Sequence, residues 1–319
     1  MQQMTHKHTK ELDIFCNEHH DKCTLCNREF VDGDTAHLGY MEDRIPAFLC
    51  DNCAQRLNET VVRYYWQKRE YDVPATNDKL WRYMDISKFI SLVSKNELFF
   101  SAAKCFSDPF EGAKGIIERQ EKWDNFYSDF LRHALLTVPG ADPNRFSEEE
   151  LQRETERLLG DLHLSGEASR ELTFISCWHM NDYESEAMWK LYSKDITNAI
   201  AIQTTYQRLY EALGKDPSIA IGKVHYIDFS NRFSSASHPY WYKHTSFEYE
   251  KEVRAIITNF DKKGEAGVTH SIDIDLLIEN IYVSPYAPQW FYDVVQSILE
   301  KYGISKEILQ SQMKATPFY

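Results

Sequence analysis

Cys23-Thr-Leu-Cys26 and Cys50-Asp-Asn-Cys53 are two C-x-x-C pairs separated by twenty-three residues. Four thiolates at this spacing can close a tetrahedral cage around one zinc ion, so the pattern predicts Cys23, Cys26, Cys50 and Cys53 as metal ligands. With every ligand supplied by the protein, no coordination position stays open, and the zinc is expected to be structural. The chain has 319 residues, enough for two domains. A small metal-held module is therefore expected in front of a larger domain. Cys16, Cys105 and Cys177 lie outside the pairs and read as buried, inert thiols.

Lysine and arginine number 36 against 49 aspartates and glutamates, a net charge of -13. Four thiolates on one Zn²⁺ would add about two more negative charges. Attraction to nucleic acid is therefore not a property of the whole surface, which leaves only a local basic patch for that purpose. No apolar run approaches the ~18 residues that cross a bilayer. The first residues, Met-Gln-Gln-Met-Thr-His-Lys-His, lack an apolar signal core. A cytoplasmic protein without membrane partners is expected.

Residues 1–20 read as a polar arm and 21–69 as the zinc module. Within the module a hairpin is predicted over 35–49. A helix opened by Cys50 and Cys53 is predicted next, with Leu57, Val61 and Tyr65 on one face. Knuckle, hairpin and cysteines at a helix start resemble a treble-clef finger; a rubredoxin-like or zinc-ribbon knuckle pair is the competing arrangement. Residues 80–319 read as an α+β domain with a mixed or largely antiparallel sheet. Strands are predicted near 80–83, 97–101, 173–177, 199–203, 219–229, 253–257 and 281–284. Residues 115–172 read as an inserted helical segment, with Trp123, Phe126, Tyr127 and Phe130 at helical spacing and a capping box at Ser147 and Glu150. Asp182 is the predicted N-cap of a helix that follows.

The sharpest candidate site is Ser246-Phe-Glu248-Tyr-Glu250-Lys-Glu252-Val-Arg254. In an extended chain Glu248, Glu250, Glu252 and Arg254 share one face. Crowded carboxylates raise at least one pKa unless a cation compensates, and Arg254 is the nearest. A helical start with a solvated Glu250–Arg254 pair is the alternative. Phe106-Ser-Asp108-Pro109-Phe110-Glu111-Gly112 is a turn in which Asp108 reads as structural and Glu111 stays open. His179 and Tyr183 can line a site wall or simply pack. No P-loop, G-x-G-x-x-G, H-E-x-x-H or G-x-S-x-G occurs.

Leu80-Trp-Arg-Tyr83, Leu98-Phe-Phe-Ser101, Ser107-Asp-Pro-Phe-Glu111, Glu186-Ala-Met-Trp189, Ala199-Ile-Ala-Ile202, Lys243 and Phe247-Glu-Tyr-Glu-Lys-Glu-Val-Arg254 resemble, in order, the bacterial domain of unknown function 2971 family over about residues 80–300. A further similarity is to ADP-ribosyltransferase-like domains, although no Ser-Thr-Ser strand is present. That resemblance implies NAD or another nucleotide as substrate. It implies Arg82, Glu250 and Glu252 as catalytic residues, and Ser101, Glu111, Tyr183, Glu248 and Arg254 as binding residues. The expected protein is an intracellular effector, in a stress or phage-defence system, whose zinc module docks a protein or nucleic acid. Two alternatives stand beside it. One is a non-catalytic ligand sensor or adaptor. The other is a metal-dependent nuclease with Asp108, Glu111 and Glu250 around Mg²⁺.

Overall fold

The computed structural model describes residues 3–5, 22–31, 34–40, 46–55, 60–65, 71–136, 145–216 and 218–319. The chain forms two compact units, one of 1–72 with 214–220 and one of 73–213 with 221–319.

The first unit carries a sheet of β1 (Gln3–Thr5), β2 (Thr35–Tyr40), β3 (Pro46–Cys50) and β4 (Thr60–Tyr65) in the order β1-β4-β2-β3. The predicted hairpin is β2 with β3, antiparallel from Ala36 opposite Cys50 to Tyr40 opposite Pro46. The predicted helix is only one turn, α1 (Asp51–Ala54). Val61 and Tyr65 instead lie on β4, because Thr-Val-Val-Arg-Tyr-Tyr is a β-branched and aromatic run that suits a pleated strand. Leu57 and most of the 1–20 arm lie outside the described residues.

The second unit is α+β around a largely antiparallel sheet. Its strands are β5 (Lys79–Asp85), β6 (Glu97–Ala102), β7 (Thr173–Met180), β8 (Ala199–Thr205), β9 (Ile219–Lys223, of which 221–223 belong to this unit), β10 (His225–Ile227), β11 (Tyr242–His244), β12 (Glu252–Thr258), β13 (Gly267–Ser271), β14 (Asn280–Val283) and β15 (Ile308–Gln310). The main path runs β13-β6-β7-β5-β8-β14-β15, while β12 pairs with β7 and β9. Strands β10 and β11 form a separate parallel pair. The helices are α2 (Ile86–Lys95), α3 (Gln120–Leu136), α4 (Glu148–Leu172), α5 (Glu186–Leu191), α6 (Tyr206–Ala212), α7 (Ile274–Leu277) and α8 (Gln289–Lys301).

Helix α4 opens on the predicted capping box, with Ser147 accepting from the Glu150 backbone and Glu150 accepting from the Ser147 backbone. On α3 Trp123 is buried, whereas Phe126 and Phe130 are exposed. One helical face is set by 123, 127 and 131, and 126 and 130 fall beside it. Asp182 does not cap α5; Ser185 does, accepting from Met188 N at 3.4 Å.

Strand β7 forks the sheet. Its one edge is taken along its length by β12, from Glu252 opposite His179 to Thr258 opposite Thr173. Its other edge is divided between β6, at Phe174 and Ile175, and β5, at His179 and Met180. Arg82 sits in the gap. Its guanidinium donates to Ser176 Oγ at 2.7 Å and to the Phe99 carbonyl at 3.2 Å, and it stacks over the Trp178 ring at 5.6 Å. The side chain thus satisfies a carbonyl near the divergence of two strands. Arg82→Leu is expected to cost about 2 kcal/mol in a urea melt, since hydrogen bonds to charged groups each contribute about 1.5–3 kcal/mol. A loss below about 0.5 kcal/mol would contradict this bridging role.

Candidate functional site

Paired residues of an antiparallel ladder share a face, and neighbours along a strand alternate. Glu252 opposite His179 and Arg254 opposite Cys177 therefore lie on one side of the sheet. Tyr83 belongs to that side too, with its ring 6.3 Å from His179. Trp178 and Ser176, the partners of Arg82, lie on the other side opposite Val253 and Ala255. Arg82 and the Glu252–Arg254 pair face away from each other. The structure does not bring Arg82 to the late glutamates.

The extended run expected at Glu248 to Arg254 is only half formed. Thr245–Glu250 is a 3₁₀ helix, and Lys251 turns the chain with φ 41° before β12 begins. Glu248 consequently points to solvent and leaves the group. Glu250 and Glu252 remain together through Lys243 on β11, whose ammonium reaches Glu250 Oε2 at 2.5 Å and Glu252 Oε2 at 3.5 Å. Arg254 donates to Glu252 from Nε at 3.0 Å and from Nη2 at 3.2 Å. It also grips Glu111 with both terminal nitrogens, at 2.6 and 2.8 Å, and donates to the Tyr240 carbonyl at 2.6 Å. Five charged side chains thus form one network with relative exposures of 0% for Arg254, 1% for Glu111, 5% for Glu252, 6% for Lys243 and 7% for Glu250.

Glu111 arrives from a turn closed by Asp108, whose Oδ1 accepts from Phe110 N at 2.9 Å. The turn needs Gly112. Its φ is +75°, and a Cβ there would stand 2.6 Å from Tyr240 Cε1. The same Tyr240 supplies the carbonyl that Arg254 binds, so turn and network are fixed together.

The two late glutamates are driven apart in acidity. Burial pushes Glu250 above the ordinary carboxylate range, and Lys243 offsets only part of that. Burial also acts on Glu252, but Arg254 and Lys243 outweigh it and hold this carboxyl below its usual range. Glu111 is raised by burial against the pull of Arg254. Glu252 N donates to the Tyr226 hydroxyl at 2.7 Å, and Tyr192 borders both Glu250 and Glu252. His179 Nδ1 donates to the Glu250 carbonyl at 2.6 Å; its Nε2 is buried without a partner. Burial lowers the His179 pKa, which keeps the ring neutral and Nε2 an acceptor.

Ser101 is opposite Ile175 and so shares the Cys177 face, several residues along the strands from Glu252. Tyr183 is 72% exposed, in the loop after β7. The loop starts next to the Lys251 turn, with Lys251 Nζ donating to Asn181 Oδ1 at 3.4 Å. Lys243 carried no separate role in the sequence. Its signal was a single lysine within Pro239-Tyr-Trp-Tyr-Lys243, an aromatic setting in which a cation needs a buried partner.

In the first unit the four cysteine sulfurs lie within 4.8 Å of one another, with Cys26 and Cys50 Sγ 3.8 Å apart. A zinc ion with Zn–S bonds of about 2.3 Å sets tetrahedral S···S edges of about 3.8 Å, so the set fits Zn²⁺. Backbone bonds preshape it: Asn27 N donates to the Cys23 carbonyl at 2.8 Å, and Cys50 N donates to Cys23 Sγ at 3.4 Å. Among the described residues this is the only group of three or more His, Cys, Asp or Glu side chains placed to hold a metal. No described helix is long and apolar enough to cross a membrane.

No family model matches the chain, so the resemblance to the 2971 family gains no support there, and no curated protein matches it. Among solved structures, the chain is similar to Thermus sp. 2.9 DarT in complex with ADP-ribosylated ssDNA. The TM-score is 0.34 and the identity 12%, over 78% of this chain and 98% of that one. DarT from the same source in complex with NAD+ gives a TM-score of 0.35 and 8% identity, over 76% of this chain and 100% of that one. Both likenesses are slight, and the chemistry below rests on this chain's own side chains.

Proposed function

We propose that the second unit is an enzyme domain acting on NAD or another nucleotide, with Glu250 and Glu252 as its working carboxylates. The observation that carries this reading is that two glutamates share one buried network unequally, Glu250 held by Lys243 alone and Glu252 by Lys243 and Arg254, which drives their acidities apart. Titratable neighbours driven apart are how a site assigns a proton carrier and a fixed anion. Glu252 stays ionised between Arg254 and Lys243 and supplies negative charge to an oxocarbenium-like sugar. Glu250 is the stronger base of the two and the less buried. It takes the proton of an acceptor hydroxyl as that oxygen bonds to C1′ and nicotinamide departs with the electron pair of the broken C–N bond. Arg82 has no part in this scheme, because it faces the other side of the sheet. The zinc-fitted first unit supplies a docking module for a protein or nucleic acid.

Nicotinamide release from NAD is the direct test. Glu250→Gln is expected to lower it about 100-fold or more, the usual effect of losing a positioned acid–base group, in protein that stays folded by circular dichroism. Release by the variant at the parental rate, or none by the parent, would remove the proposal. A non-catalytic sensor is favoured by one feature, that every carboxylate of the network already holds a cation. The same feature disfavours a nuclease. Glu111 and Glu250, expected to gather Mg²⁺, are engaged by Arg254 and Lys243, which fill the space a cation would take.

A further inference from the structure

A cavity of about 510 Å³ opens on the far side of Glu111, between the 109–117 loop and helices α3 and α4. This volume is in the ordinary range for small-molecule sites, about 300–1,000 Å³. Its walls are aromatic and basic. Trp123, which is 3% exposed, and Phe233 line the space together with Lys114 and Arg170. Lys114 Nζ donates to the Leu162 carbonyl at 2.6 Å and lies 4.7 Å over the Trp123 ring, which leaves two of its three N–H donors. Arg170 has a buried Nε with no hydrogen-bond partner. Arg119 stands beside them, 4.6 Å over the Phe233 ring, and its Nη1 is also buried without a partner. Glu111 cannot neutralise these cations, because Arg254 holds both of its oxygens. Glu167, the other acid on the lining, is exposed.

The cavity is shaped by small residues. A Cβ on Gly115 would stand 2.7 Å from Phe233 Cδ1, and one on Gly166 would stand 3.0 Å from Lys114 Nζ. Ser234 ties the loop down, with its N donating to the Lys114 carbonyl at 2.9 Å and its Oγ to the Ala113 carbonyl at 2.7 Å. Asp124 acts on Lys114 and is bonded to His163 at 2.8 Å, which leaves Arg170 and Arg119 as the basic groups for which an anion is the missing counter-charge.

We propose that this cavity binds a planar-ring anion of mononucleotide size, its ring beside the half-buried Phe233 and its anionic group on Lys114 and Arg170. The site is separate from Glu250 and requires no turnover, so it stands or falls independently of the enzyme reading. The probe is AMP, titrated calorimetrically into the full-length protein, with adenosine and inorganic phosphate as the two half-ligands. AMP is expected to bind, more weakly as salt rises, and at least about tenfold more tightly than either half-ligand, because ring and charge contribute together. Arg170→Gln and Lys114→Met are each expected to weaken AMP about tenfold. Gly166→Ala crowds Lys114 without removing charge, and it is expected to weaken AMP while the protein melts as before. No binding at millimolar AMP would overturn the proposal. So would inorganic phosphate or adenosine binding as tightly as AMP, or undiminished affinity in folded Arg170→Gln.

Discussion

Replacing Arg254 by methionine is expected to remove about 3 to 5 kcal/mol of stability, the cost of leaving buried charge unpaired when one partner is taken away. Arg254 is fully buried and holds Glu111 with two hydrogen bonds and Glu252 with two more. Methionine keeps much of the volume, so the loss reports on charge rather than on a cavity. The main calorimetric transition should fall by roughly 10 °C for a domain of this size. Adding Glu111→Gln to the variant should restore part of the loss, because one of the two stranded carboxylates is then neutral. Two substitutions that simply add, or a first loss under about 1 kcal/mol, would show that the network does not hold the Glu111 turn to the sheet.

The pH dependence has a definite sign. Glu252 is depressed in the fold, so its contribution is present above its unfolded pKa of about 4.3 and is lost as pH falls through the folded value. Glu250 is raised, so its contribution is complete below its unfolded pKa and is lost as pH rises through the folded value. The penalty of Arg254→Met should therefore be largest near neutrality. It should shrink below about pH 4, where the stranded carboxylates take up protons.

Stripping zinc, or replacing Cys50 by serine, is expected to unmake the first unit's hairpin. Structural zinc sites supply an apparent binding free energy of about 10 to 16 kcal/mol at neutral pH, and in a small module that energy is folding energy. Cys50 closes β3, Cys53 lies in the one-turn α1, and the other two cysteines come from the Cys23–Cys26 knuckle. The metal therefore joins three local pieces of the chain. Elemental analysis should find about one zinc per chain, falling well below that in Cys50→Ser. Amide exchange across 35–50 should become fast in the same protein. Metal-free protein with unchanged protection there would mean that the thiols alone suffice.

Much of the local structure was legible. The capping box of α4 and the hairpin of β2 and β3 each follow from residues within a few positions of one another. The strands β13 and β15 were not, since Gly-Val-Thr-His-Ser and Ile-Leu-Gln are too short or too polar to carry a period. The glutamate run misled in one respect. Two-residue spacing assumes an extended chain, and the positive φ at Lys251 breaks that alternation between Glu250 and Glu252. The two stay together because Lys243 binds both, a contact no spacing announces.

By itself the sequence determined the zinc-fitted cysteine set, the α+β class and the acidic character of the segment before β12, because each depends on neighbours along the chain. Tertiary structure alone decided that Arg254, and not Arg82, is the arginine of the glutamate network. The register sets Trp81 and Glu252 both opposite His179, so Arg82, one residue on from Trp81, falls on the face away from Glu252 and Arg254. It also decided that Glu111, 143 positions before Arg254, joins that network. Strand register and the turn at Gly112 set both results, and a register is fixed only when distant segments pack.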